Sequence, residues 1–207
     1  MILRNRKETL ELFDTWAGTY DEYIQDPKGP LLGYESSLVE AASWLEKRSF
    51  HSILDIGIGT GNFASRFNGK NIFGVDLSQK MIIECKHQHP DYHLSLGTFT
   101  KNNQSSRMFD LTVSSFAFHE VDSEERPDAC KETHRILKDE GLFLLVDIMF
   151  ASKTARDDAR KLIGKYWDSS EDYPLISDTD EALRSVGFKS ILWKQTGPYH
   201  WAVISQK

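Results

Sequence analysis

One stretch constrains this chain more than any other: Ile53-Leu54-Asp55-Ile56-Gly57-Ile58-Gly59-Thr60-Gly61-Asn62-Phe63-Ala64. A short apolar run carrying one carboxylate, Asp55, passes into a segment where glycine takes every second place. Such a run reads as a buried strand. The glycines read as a tight turn leading into a helix, because glycine reaches positive φ without a Cβ clash and lets a ligand approach the backbone. The turn is expected to form the floor of a nucleotide-type binding site.

Two cofactor chemistries compete for this pattern. Gly59, Gly61 and Ala64 satisfy the loose G-x-G-x-x-G/A fingerprint of dinucleotide binders, and Asp76 stands near the distance expected of a ribose-binding acid, so NAD fits the expression. Asp55 argues the other way. A carboxylate just ahead of the glycines repels a pyrophosphate and suits a cationic ligand. The alternation Gly57-x-Gly59-x-Gly61 behind Asp55, followed by Phe73-Gly74-Val75-Asp76-Leu77-Ser78, resembles the first two motifs of class I S-adenosylmethionine-dependent methyltransferases. The cofactor of that family carries a sulfonium, an ammonium, a carboxylate and a ribose diol, so both acids have partners.

The rest of the chain is consistent with an α/β architecture. Leu12, Trp16, Tyr20 and Tyr23 recur at steps of four, four and three, which predicts an amphipathic helix, or two short ones, over about residues 8–23. Asp26-Pro27-Lys28-Gly29-Pro30 breaks it, and Leu38, Ala41, Ala42 and Leu45 share one face of a second helix over about 37–47. Beyond the glycines, strands are expected at 72–76, 93–96, 110–114 and 142–147, alternating with helices as in a parallel sheet. Ser78 is a plausible helix cap, Asp122 with Glu125 forms an acidic capping pattern, and Gly141 is expected to end the helix between them. Residues 153–167 and 178–186 read as helices, and 189–194 with 199–204 as a hairpin around Gly197-Pro198. The resemblance implies a Rossmann-like, seven-stranded, mostly parallel sheet with a C-terminal antiparallel hairpin and an N-terminal helical lid. It further implies a single domain over 1–207, with the lid in 1–50, the cofactor-binding core in 51–207 and a substrate-side insertion at about 150–177.

In methyl transfer the cofactor supplies the electrophile, so the protein chiefly aligns the acceptor and excludes water. The family likeness implies that Asp55 offsets the cofactor's charge. Gly57, Gly59 and Gly61, with Asn62, would admit its amino-acid part against the N–H groups of the following helix. Asp76 would accept from the ribose hydroxyls, Leu77 and Met81 would bound the adenine on one side and Phe99 on the other. Thr98 stands where relatives commonly carry an acid, and its hydroxyl can accept the same bond without charge. Ser114 and Ser115 lie at the carboxyl edge of the fourth strand, where open α/β sheets bind ligands. Ser114-Ser115-Phe116-Ala117-Phe118-His119-Glu120-Val121 resembles the family's fourth motif. Together with Phe13-Asp14-x-Trp16-Ala17-x-x-Tyr20-Asp21, it is similar to a group of small bacterial methyltransferases of unassigned substrate. Trp16 and Tyr20 are expected in the lid, with the Tyr20 hydroxyl on the cofactor carboxylate. His119 is the candidate base, because an imidazole titrates near neutrality. Packing competes with function at Trp16, Leu77, Met81, Phe99 and His119 alike.

Composition narrows the partners. A formal net charge of −6 disfavours tracking along a phosphate backbone, so a small-molecule acceptor is expected rather than nucleic acid. His87, His89 and His93 are interrupted by Pro90 and no cysteine accompanies them, so no metal site is expected. Cys85 and Cys130 lack paired spacing, which suits a reducing, cytoplasmic setting. The polar start at residues 1–7 lacks the apolar core of a signal peptide, and the run 142–146 is far too short to span a membrane. Oligomeric state is left open. The rival readings are a non-catalytic S-adenosylmethionine-binding protein, an RNA or protein methyltransferase, and a nicotinamide-dependent oxidoreductase.

Overall fold

The computed structural model describes residues 3–207; the reading of Met1 and Ile2 as part of a polar start lies outside them. The apolar run at the glycine motif forms β1 (Phe50–Ile56), and all but His51 of its residues are buried. It is a central strand, flanked on one side by β2 (Gly69–Asp76) and on the other by β4 (Phe109–Ser115), both parallel to it. With β3 (His93–Leu96), β5 (Leu137–Ile148), β6 (Lys189–Gln195) and β7 (His200–Gln206), they make a seven-stranded sheet in the order β3-β2-β1-β4-β5-β7-β6. β7 runs antiparallel to both β5 and β6, the reversed strand that the terminal hairpin predicts.

Helices cover both faces, and apolar clusters fill the space on each side of the sheet. α3 (Tyr34–Ser43) buries Leu38 and Ala41, and α4 (Gln79–Gln88) buries Met81, Ile82 and Cys85. α5 (Arg126–Ile136), α6 (Lys153–Ile163) and α7 (Ile176–Ser185) complete the layers. α1 (Arg6–Trp16) differs from these, since Thr9 is its only buried residue, and it packs against α4. A short α2 (Tyr20–Tyr23) follows it. Among the described residues, no helix is long and apolar enough to cross a membrane.

Of the two forms expected over 8–23, the chain takes two helices, interrupted at Ala17-Gly18-Thr19, which resets the phase between α1 and α2. Three local expectations change. No α-helix follows the glycine turn. Residues 57–68 are all the chain has between β1 and β2, and the glycine turn uses the first five, so only a single 3-10 turn at Ala64–Arg66 fits before β2 begins. Its Phe67 leaves helical space because Phe63 and Phe67 pack edge to face at 4.9 Å within the core. The capping pattern at Asp122 and Glu125 does not form. Asp122 offers only its backbone carbonyl to the Glu125 N–H (2.8 Å), while the Glu125 carboxylate turns to Arg6 at 2.6 Å. Gly141, expected to stop α5, sits inside β5 beside the Phe109 carbonyl, where an added Cβ would come within 3.2 Å of it.

Candidate functional site

Asp76 ends β2 with its carboxylate held between two loops. Its Oδ2 accepts the Gly59 N–H at 2.9 Å, and its Oδ1 accepts the Ser78 N–H at 2.8 Å. Ser78 in turn caps α4, its Oγ accepting the Met81 N–H at 3.1 Å. The cap and the acid thus have separate jobs. Burial pushes the Asp76 carboxyl up to about 6 despite the N–H donors of Ser78, Gly59 and Leu77, and the nearby Asp14 carboxylate adds to the rise.

The three glycines answer to three different constraints. All have positive φ: 75° at Gly57, 53° at Gly59 and 93° at Gly61. A side chain at Gly57 would strike the Ala117 Cβ at 2.4 Å, and one at Gly61 would strike the His89 ring at 2.6 Å, so both serve packing. A Cβ at Gly59 would meet nothing within 4 Å. Gly59 is therefore where the turn leaves room for a ligand. Behind it, Asp55 is 1% exposed and its Oδ1 has no hydrogen-bond partner. Burial, with the Asp76 charge second, pushes its carboxyl up to about 8. A buried acid with a partnerless oxygen leaves one polar position of the turn unsatisfied.

A cleft opens at this point. Its lining includes Gly57, Gly59, Asp76, Leu77, Met81, Thr98, Phe99 and Ser115 from the sheet edge. Arg6, Thr9, Phe13 and Tyr20 of the N-terminal segment face it from the other side. After β4 the chain turns through Phe116 at a φ of 49°, a left-handed conformation uncommon for a non-glycine residue, and the ring lands on Tyr34 with centroids 4.5 Å apart.

The sequence matches the family model described as a methyltransferase domain over residues 54–145. It is 32% identical over 177 residues to an uncharacterized methyltransferase of Staphylococcus carnosus, covering 83% of this chain and 81% of the relative. The chain belongs to the class I S-adenosylmethionine-dependent methyltransferases. An uncharacterized methyltransferase of Oceanobacillus iheyensis is 26% identical over 97% of this chain and 98% of its own. A solved SAM-dependent methyltransferase of Thermotoga maritima shares the fold, with a TM-score of 0.69 at 17% identity over 95% of this chain and 99% of that one. The cofactor is S-adenosylmethionine, and the buried partnerless Asp55, the open Gly59 and the cleft-wall Asp76 fit a cationic ligand bearing a ribose. The nicotinamide reading is set aside.

Not every expected residue of the methyltransferase faces the cleft. Trp16 turns away, stacked on Tyr23 with ring centroids 5.2 Å apart. Asn62 accepts from Arg66 at 2.9 Å, and Ser114 donates to the Ile56 carbonyl at 2.7 Å, tying β4 to β1; neither lines the cleft, and nor do Gly61 and the buried Asp55, which lies behind the turn. The helix whose N–H groups were to face the cofactor is absent. Thr98 does line the cleft, and its Oγ1 accepts the Lys101 N–H at 3.1 Å. Phe13 and Thr9 were missed. With Arg6 they follow a helical three-and-four spacing, but the larger aromatic stripe one face away gives the stronger signal.

His119 faces a different place. Its Nδ1 lies 2.5 Å from Asp147 Oδ1, and Asp147 also accepts the N–H groups of Phe118 (2.7 Å), His119 (3.1 Å) and Ile148 (2.6 Å). Its Nε2 points at Glu120 (3.7 Å) and Glu171 (3.8 Å), across a second, acid-lined cleft. Burial alone would lower its pKa, but Asp147, Glu171 and Glu120 carry it up to about 10. These acids favour the protonated imidazole, which ties the loop after β4 to β5, and so disfavour the expected role as a base. His119, Glu120 and Glu171 bring three possible metal donors within 4.8 Å of one another. The Arg4 guanidinium already sits on both glutamates at 3.1 Å.

Proposed function

We propose that this methyltransferase moves the methyl group to a small-molecule acceptor by in-line displacement, and that residues 1–207 work as one domain in a cytoplasmic setting. The observation that carries the site assignment is Asp76, fixed by Gly59 and Ser78 on the wall of a cleft that Gly59 leaves open. When bound, S-adenosylmethionine supplies a methyl group on a cationic sulfur. Asp76 accepts the ribose hydroxyls on the lone pairs that the two backbone donors leave free. Leu77, Met81 and Phe99 bound the adenine, with Thr98 at its edge. Asp55, whose carboxyl burial holds up to about 8, loses its proton more readily once a cation lies in front of the glycine turn, and its carboxylate then offsets the positive charge. Tyr20 and Phe13 exclude water from above. His119 holds the loop below and takes no substrate proton.

A small acceptor is favoured by the enclosure of the cleft under α1 and by the net charge of −6, which opposes a polyanion. The buried, free Cys85 and Cys130 suit a reducing compartment. The test is transfer of a labelled methyl group from the cofactor into whole cell extract, followed by ultrafiltration. Label in the filtrate is the expected result. Label retained with protein or RNA would overturn the small-molecule reading while leaving the methyltransferase intact.

A further inference from the structure

The N-terminal segment carries two acids, Asp14 and Asp21, that the cofactor reading leaves without a role. Asp14, on α1, accepts the Ser78 hydroxyl at 2.5 Å. Asp21, on α2, accepts the Thr60 hydroxyl at 2.8 Å and the Gln88 amide at 2.9 Å. Thr60 follows Gly59 in the glycine turn, and Ser78 follows Asp76 by two residues. Those are the two loops whose backbone N–H groups grip the Asp76 carboxylate, Gly59 on one oxygen and Ser78 on the other.

From this arrangement we infer that Asp14 and Asp21 are positioning residues, which set the two loops around Asp76 so that the cofactor site is complete only while the N-terminal segment is docked. The inference rests on the reading of Asp76 as the ribose acid. Three features support it. Each acid reaches a hydroxyl in a different cofactor loop, and each contact joins residues far apart in sequence. α1 fully buries no apolar side chain, so polar contacts carry much of its attachment to the body, and Phe13, half-buried against Trp16, lines the cleft. The Ser78 hydroxyl is shared between the Asp14 carboxylate and the Met81 N–H, so loss of Asp14 frees the residue that both caps α4 and holds Asp76.

The test is calorimetric binding of S-adenosylhomocysteine to the wild type, Asp14→Ala, Asp14→Asn, Asp21→Ala, Ser78→Ala, the Asp14→Ala/Ser78→Ala double variant and Asp76→Ala, with thermal unfolding of each ligand-free protein. Asp14→Ala and Asp21→Ala are each expected to weaken binding about tenfold, the scale of one charge-assisted hydrogen bond, with near-wild-type unfolding. Asp14→Asn still accepts the Ser78 hydroxyl and recovers most of the affinity. The double variant loses no more than Ser78→Ala alone. Asp14→Asn should also move the pH midpoint of binding downward, because it removes a carboxylate that raises the Asp76 pKa. Asp55 of β1, Tyr20 of α2 and Cys85 of α4 face Asp76 in both proteins and cancel from that comparison.

Wild-type affinity in Asp76→Ala would sink the site assignment itself. Loss in Asp76→Ala with wild-type affinity in Asp14→Ala and Asp21→Ala would overturn this inference alone. Equal losses in Asp14→Ala and Asp14→Asn would overturn the hydrogen-bonded positioning role.

Discussion

Asp55 holds a carboxyl in the core without a partner for Oδ1, at a cost to the protein that, in the proposed site, a bound cofactor would offset. Linkage sets the sign. A carboxyl whose folded pKa is raised to about 8 binds its proton more tightly folded than unfolded. It therefore costs no stability below the unfolded value, and costs progressively more as pH rises toward 8. Asp55→Asn is expected to raise the ligand-free melting temperature at pH 8, by roughly 2–4 °C for each kcal/mol relieved, and to gain little near pH 4. The same variant should bind S-adenosylmethionine more weakly, and differential scanning fluorimetry with and without cofactor checks both halves. At His119 the cost lies elsewhere. His119→Gln leaves Asp147 buried without its cation and is expected to destabilise the fold by about 3–5 kcal/mol, while cofactor affinity stays near wild type. Denaturant unfolding and calorimetry read the two effects separately. Asp55, Gly59 and Asp76 were legible as candidates because a strand end, a glycine turn and an acid closing the next strand leave local traces. The partner of His119 was not legible, since Asp147 lies 28 residues away and pairs with it only through the β4–β5 neighbourhood.

Among the elements, α1 is held differently from the rest. Arg4 bonds Glu120, Asp168 and Glu171, Arg6 pairs with Glu125, Thr9 donates to Glu120, and Asp14 accepts from Ser78. Contacts of this kind weaken with salt where they reach solvent. Amide exchange in residues 6–16 is expected to quicken at high ionic strength and in Arg4→Ala, and to slow when cofactor fills the surface beneath Phe13. Unchanged exchange in all three conditions would contradict a polar anchoring of α1. The helix itself was readable from its aromatic stripe, but its phase was not. The break at Gly18 puts Tyr20 on the cleft and leaves Trp16 outside it. The helix behind the glycine turn failed for a related reason: the motif marks where the turn lies, while the length of chain before β2 decides whether a helix can form after it.

For the whole molecule, the mostly parallel sheet with its C-terminal hairpin was the most legible feature. Alternating strands and helices imply parallel pairing, and Gly197-Pro198 between two strand-like runs implies the reversed pair at the edge. A likeness of this kind reaches the fold and the family; the acceptor depends on the few residues around the cleft mouth. The proposed cofactor site, by contrast, can be tested at named atoms. Calorimetric titration with S-adenosylmethionine and S-adenosylhomocysteine, with NADH as control, should give binding of the first two alone. Affinity should fall as pH drops through about 6, where the Asp76 carboxyl takes up its proton, and should be lost in Asp76→Ala. Undiminished binding in Asp76→Ala, or binding of NADH alone, would contradict the account.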